Sequence, residues 1–337
     1  MLAAILLSFV YMNASFFRFP MVTAIAVTLA LGLGVFLFLF EPTRRPSEYL
    51  FLMLFFLADP NLGVGYAFYF LFHRAAHSYG YLDDDWDLRP YALLGFLMIA
   101  WTISHNGIVV SRDGGFGGRY SIGFYHPNLA ALWGLILAYL CKHYLPKPFF
   151  LVGLVVAGAS IFISGGSGKI PMLLFLAFSP AAFLFKRTVF YSTIALVLGL
   201  SVFFMTATDF STTQAISGRN VIFDALLRHM DVANLFVGVS KDSLLSDPSV
   251  QSYYDDIWED ALPFDNILSA AAFISPLMSL CFICFTGVWR CPKESKDFDR
   301  VMLFWICGLA ANPLSVWNPF FLLAIKGTSK DHGWIKW

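Results

Sequence analysis

Long apolar runs alternate with short polar segments along most of the chain. The hydrocarbon core of a bilayer is about 30 Å thick, so a spanning helix needs about 20 apolar residues. Roughly ten runs approach that length and predict a chain that crosses the membrane repeatedly. The predicted spans are residues 2–17, 21–40, 49–72, 91–110, 128–144, 149–163, 171–185, 189–206, 267–289 and 301–325.

Two of these runs contain a helix break. Asp59-Pro60-Asn61 interrupts residues 49–72, and Asn312-Pro313 interrupts residues 301–325. Proline removes a backbone hydrogen bond and kinks a helix. Each run is therefore one broken helix or two short helices, and about ten to twelve spans are expected.

Charged residues between the spans predict which side each segment faces. Cytoplasmic segments of membrane proteins are enriched in lysine and arginine. Three basic segments fall on alternate connections and are predicted to be cytoplasmic, which places the long polar stretch of residues 208–265 outside. The basic residues are Lys142, Lys147, Lys186, Arg187, Arg290, Lys293 and Lys296.

This polar stretch divides the chain into three parts. An N-terminal transmembrane bundle is predicted for residues 1–207, a large extracytoplasmic loop for 208–265, and C-terminal transmembrane helices for 266–337. Composition agrees with this picture, because 58% of the residues are hydrophobic and only 13% are charged. Soluble domains carry about a quarter charged residues. The first residues are apolar without a basic start or cleavage signal, so they are expected to form a membrane helix rather than a removed signal peptide.

The outer loop contains an amphipathic helical pattern that opens at Ser217-Gly218-Arg219 and closes at Gly238. Ser217 is predicted to be the N-cap, and the free N–H groups of the first turn form an anion site. Arg219 adds a planar, permanently charged group that suits a phosphate or diphosphate. A solvated surface arginine is the alternative, and physical chemistry alone slightly favours it. The apolar face is predicted to comprise Ile222, Phe223, Leu226, Leu227 and Met230.

A second outer segment, residues 112–119, ends in Arg119 after a run of glycines. Arg119 and Arg219 are on separate outer loops and are candidates to hold one diphosphate between them. The alternative for Arg119 is snorkelling at the membrane surface. His126 precedes Pro127, which suits the first turn of the next membrane helix.

Asp265 immediately precedes Asn266 and the next apolar run. A carboxylate at the membrane edge is a candidate general base for a sugar hydroxyl. The alternative is that Asp265 is the N-cap of the helix, since aspartate is a preferred cap.

No metal site is predicted. His73 and His77 have the spacing of metal ligands but lack the glutamate of the zinc-protease motif. Cys281 and Cys284 have no second cysteine pair and lie in an apolar run, so buried thiols are expected there.

The order of these parts resembles the O-antigen polymerase and O-antigen ligase superfamily. The resemblance covers residues 112–289 and consists of segments in a fixed order between membrane helices. The segments are Arg119…Gly123-Phe124…Pro127-Asn128, then Ser164-Gly165-Gly166-Ser167, then Ser217-Gly218-Arg219…Gly238, and finally Asp265-Asn266.

The resemblance implies an all-α glycosyltransferase of the GT-C type in the bacterial inner membrane, with its active site on the periplasmic side. Its substrates would be glycans linked to undecaprenyl diphosphate, and its partners the lipid bilayer and, as a candidate, a chain-length regulator protein. No cofactor, metal or nucleic acid is implied. Arg119 and Arg219, helped by Arg228, would bind the diphosphate, which gives Arg219 a catalytic role as well.

Ligases of this superfamily tend to have a His-Asn pair where this chain has Asp265-Asn266. This difference favours a polymerase of lipid-linked repeat units, with Asp265 as the base and His126 as its competitor. A ligase that transfers the glycan to lipid A-core is the alternative. A transporter or flippase of lipid-linked sugars is the rival class, and it would need polar groups deep in the bilayer.

Overall fold

The computed structural model describes residues 110–111, 119–120, 127–144, 146–163, 169–206, 214–254, 266–293 and 295–309. This part of the chain is helical apart from one antiparallel ladder of two residues per strand, which pairs Val110 with Tyr120 and Ser111 with Arg119. The predicted all-helical class is confirmed at this level, whereas the ladder was not predicted. The elements are β1 (Val110–Ser111), β2 (Arg119–Tyr120), α1 (Pro127–Tyr144), α2 (Lys147–Ile163), α3 (Lys169–Thr206), α4 (Gln214–Arg228), α5 (Asn234–Val237), α6 (Lys241–Leu245), α7 (Pro248–Tyr254), α8 (Ile267–Ile274), α9 (Pro276–Thr286) and α10 (Ser295–Cys307).

Helices α1 and α2 form where the apolar runs predicted them. Helix α1 starts at Pro127, as expected for a residue that fixes φ and has no N–H to leave unpaired. The two helices pack closely at Gly134, where an added Cβ would lie 2.9 Å from the carbonyl oxygen of Ala157. Small residues allow such backbone approach between apolar helices.

Helix α3 combines two predicted spans. Its backbone leaves helical geometry at Phe185 (φ −130°, ψ 53°), which is where the prediction divided residues 171–185 from 189–206. Within the described part of the chain, Phe185–Phe203 is the one helix long and apolar enough to cross a membrane, and α8 with α9 would add a second as one broken span. The crossing of the membrane by about ten to twelve helices stays a prediction.

The span predicted at residues 267–289 is not one continuous helix. Helices α8 and α9 meet at Ser275 with a bend of 115°. Pro276 has no N–H to continue the first helix and instead begins the second. The Ser275 hydroxyl accepts a hydrogen bond from Met278 N at 3.1 Å and thereby caps α9.

Three basic segments contact one another within the described part of the chain: the end of α1, the kink of α3 and residues 290–299. We call this cluster the basic face. Asp299 Oδ2 accepts a hydrogen bond from Lys142 Nζ at 2.5 Å and lies 2.7 Å from His143 Nε2. Lys186 Nζ lies 5.6 Å from the centre of the Phe298 ring and donates to the carbonyl of Lys293. The segments that were predicted to share the cytoplasmic side are therefore neighbours.

Helices α4–α7, which we call the loop unit, follow the opposite end of α3. Twenty residues separate Lys186 from Thr206, where α3 ends, and a helix of that length rises about 30 Å. This distance equals the thickness of a hydrocarbon core, about 30 Å. The loop unit is thus connected to α3 one bilayer thickness away from the basic face.

Candidate functional site

The loop unit has a small hydrophobic core of its own. Helix α4 contributes three buried residues, and α6, α7 and the segment before α6 supply the rest. Phe273 and Ala272 of α8 pack against this core, so the loop unit is attached to α8. The buried residues are Ile222, Ala225, Leu226, Val239, Leu244 and Val250.

The start of α4 corrects a prediction. The helix begins at Gln214, so Ser217 lies within its first turns and is not the N-cap. Ala215 precedes Ser217 and is the best helix former, which helps the helix to extend backwards. The first-turn N–H groups consequently belong to Gln214–Ser217 rather than to the residues after Ser217.

The prediction for the apolar face of α4 is correct only in part. Ile222 and Leu226 are buried as predicted, but Leu227 is 54% exposed and Ala225 takes a buried position. The packed stripe therefore follows positions 222, 225 and 226.

Arg219 occupies α4 three positions before Ile222 and seven before Leu226. Residues at these spacings share one side of a helix. Its backbone position is therefore in line with the stripe that packs on the rest of the molecule. The side chain of Arg219 lies outside the part of the chain whose side chains are described, and its role in diphosphate binding stays a prediction.

Arg228 is occupied by an ion pair within the loop unit. Its Nη2 donates to Asp247 Oδ1 at 2.9 Å and to Ser249 Oγ at 2.5 Å, and its Nε donates to Asp247 Oδ2 at 3.3 Å. Arg228 is nine positions from Arg219 on α4, which corresponds to about 13 Å along the axis and to opposite sides of the helix. This geometry favours a structural role for Arg228 over a shared diphosphate site with Arg219.

Asp247 is the centre of that network. It is buried, and its carboxylate also accepts hydrogen bonds from the backbone N and the hydroxyl of Ser249 and lies 3.2 Å from His229 Nε2. The hydrogen bond from the Ser249 hydroxyl, followed by the Ser249 N–H and Arg228, lowers the pKa of Asp247 to about 2 despite its burial. The ionised carboxylate links α4 to the start of α7.

Asn266, not Asp265, caps α8. Its side-chain oxygen accepts a hydrogen bond from Leu268 N at 2.8 Å, and Ile267 N donates to the carbonyl of Gly308 at 2.8 Å. The alternative interpretation of Asp265 as the N-cap of this helix is therefore wrong. Asp265 and His126, the two candidate bases, lie outside the described residues.

Arg119 is in β2, where its backbone pairs with Ser111. Nothing is described of its side chain, so the expected meeting of Arg119 and Arg219 around one diphosphate stays a prediction.

In comparisons with protein-family models, with curated proteins and with solved structures, no significant match to this chain is found. The resemblance to the O-antigen polymerase and ligase superfamily consequently depends on the order of sequence segments alone.

Proposed function

We propose that this chain is a membrane glycosyltransferase that polymerises undecaprenyl-diphosphate-linked oligosaccharide repeat units into a surface polysaccharide. The observation that best supports this proposal is the position of Arg219. Helix α4 follows α3 at the end far from the basic face. The backbone position of Arg219 is on the same side of α4 as the packed residues Ile222 and Leu226. In a bilayer that has the basic face at its opposite surface, an arginine at that level would be at the height of a lipid-borne diphosphate.

In the proposed reaction, Arg219 and Arg119 bind the diphosphate of the donor. The anomeric C–O bond breaks and the diphosphate leaves with the electron pair, while the guanidinium charges stabilise it. Asp265 or His126 takes the proton of the acceptor hydroxyl, whose oxygen forms the new glycosidic bond. Arg228 is left out of this site because Asp247 holds its guanidinium.

The test uses Arg219→Ala and Arg219→Lys in a strain that lacks the wild-type chain. Both variants should give surface polysaccharide shortened to single or few repeats, because lysine supplies charge but not the planar fork. Arg187→Ala, which removes an exposed arginine at the basic face, is the matched control and should give normal polymer. Membrane levels of all three proteins are measured by immunoblot.

Normal polymer in Arg219→Ala at normal protein level would remove Arg219 from the site. The strain without the chain separates the classes of function. A single-repeat product indicates a polymerase, polymer retained on the lipid carrier indicates a ligase, and loss of every exported unit indicates a flippase.

A further inference from the structure

An apolar segment of the loop unit is exposed rather than packed in the hydrophobic core of that unit. It comprises residues 232–237, where Val232 is 75% and Phe236 54% exposed, and Leu235 and Val237 are exposed as well. Residues 232–239 include no charged side chain. A cluster of exposed apolar side chains in an acidic loop indicates a surface that contacts something other than water.

This apolar segment is fixed to the bend between α8 and α9. The Ser275 hydroxyl donates to the carbonyl of Leu235 at 3.1 Å. A Cβ on Gly238 would lie 2.0 Å from the carbonyl oxygen of Phe273, so the backbones are in direct contact there. The segment therefore has a defined place beside the first turn of α9.

The neighbouring surface of α9 is apolar too. Leu277 and Leu280 are exposed, three positions apart on one side of the helix. Leu277 is two residues from Ser275, whose hydroxyl donates to the carbonyl of Leu235, so the exposed side of α9 begins beside the apolar segment.

The length of α9 sets the depth of the segment. Its 11 residues rise about 16 Å. The other end of α9 leads through Gly287 to residues 290–293, where Cys291 Sγ lies 3.9 Å from the carbonyl oxygen of Lys186 on the basic face. For α9 along the membrane normal, with the basic face at one surface of a hydrocarbon core about 30 Å thick, the start of α9 lies about 10–14 Å below the other surface.

We propose that residues 232–237 are inserted in the leaflet opposite the basic face, with Val232, Leu235, Phe236 and Val237 against lipid acyl chains. This insertion rests on the membrane placement assumed in the proposed function, but not on the glycosyl transfer. Apolar segments at an interface are typically buried 5–10 Å into the headgroup and acyl boundary. The insertion would hold α4, and with it Arg219, at the level of lipid headgroups.

The test attaches an environment-sensitive fluorophore to single cysteines at positions 236, 246 and 280, in a background without the five native cysteines. The labelled proteins are placed in phosphatidylglycerol/phosphatidylcholine nanodiscs containing lipids with a nitroxide on carbon 5 or carbon 12 of the acyl chain. Position 246 is the matched control, because Ser246 is exposed in the same loop unit. Position 280 reports whether α9 faces lipid.

We expect the label at position 236 to be quenched several-fold more by the carbon-5 lipid than the label at position 246, and to be protected from aqueous iodide. Quenching at 280 together with equal iodide quenching at 236 and 246 would overturn the insertion while leaving α9 in the membrane. Absence of lipid quenching at both 236 and 280 would overturn the insertion and the membrane placement together. The Phe236→Ser variant gives a second measurement. Loss of the lipid contact should make amide hydrogen exchange at residues 232–237 faster than in the wild type.

Discussion

At the scale of single residues, Asp247 is expected to stabilise the loop unit through its ionised form. Its pKa falls from an ordinary value of 3.8 to about 2 in the folded protein. A lowered pKa contributes stability that is present above about pH 4 and is lost as the pH falls towards 2. Asp247→Asn should therefore destabilise the loop unit by about 1–2 kcal/mol at pH 7, measured as faster proteolysis within residues 214–254.

Asp224→Asn is the control for that variant, since Asp224 is exposed on α4. It should leave the rate of proteolysis unchanged. Equal rates for Asp247→Asn and the wild type at pH 7 would contradict the role of the network.

The sequence alone could not separate a ligand-binding arginine from one held in an ion pair. Arg219 and Arg228 were both predicted to bind the diphosphate, because both are arginines of the same outer loop. Asp247 is 19 residues from Arg228 and is one of nine acidic residues in residues 209–260. The ion pair needs the fold of α4 on α7, and no spacing rule joins residues so far apart.

At the scale of elements, Gly238 is predicted to be essential for attachment of the loop unit to α8. Its φ of 74° favours glycine, and an added Cβ would lie 2.0 Å from Phe273 O and 2.6 Å from Ile274 O. Gly238→Ala should destabilise the protein by more than about 2 kcal/mol, measured by thermal unfolding in detergent.

Gly199→Ala is the matched control. Gly199 is inside α3, where an added Cβ would meet nothing within 4 Å, so alanine should be neutral or stabilise the helix by up to about 1 kcal/mol. A Gly238→Ala protein that unfolds at the temperature of the Gly199→Ala protein would contradict the close contact.

Ser275 gives a second prediction for the bend. Its hydroxyl caps α9 at Met278 N and binds Leu235 O, so Ser275→Ala should lose about 1–2 kcal/mol. Ser279, one turn later, has a buried hydroxyl without a hydrogen-bond partner. Ser279→Ala should therefore be neutral or stabilising in the same thermal unfolding, and the opposite ranking of the two variants would refute the cap.

The helices α1, α2 and α3 could be predicted to within a few residues because polar residues bound their apolar runs. The bend at Ser275 was missed because residues 267–289 contain no charged or amide side chain, so hydropathy alone predicts one continuous span. Pro276 lacks the flanking aspartate or asparagine of Pro60 and Pro313, and its turn is also in contact with Leu235 and Gly238 from a distant segment.

At the scale of the whole molecule, Asp299 joins separate helices at the basic face. Burial alone would raise the pKa of Asp299, but hydrogen bonds from His143 and Lys142 outweigh it and lower that pKa. The carboxylate thereby joins α1 to α10 as an ionised group. The positive-inside pattern predicted that these segments share one side, and it could not predict the acid that holds them together.

The two ends of α3 are predicted to face opposite sides of the membrane. Single cysteines at positions 293 and 246, both exposed, test this in a background without the five native cysteines. The cysteine at 246 should react with a membrane-impermeant maleimide in spheroplasts, and the cysteine at 293 only after the membrane is opened. Because Phe185–Phe203 is the one long apolar helix in the described segments, reaction of both from outside would mean that it does not cross. Arg219 and the basic face would then share a compartment, and the proposed diphosphate site would lose its place at the outer edge of the bilayer.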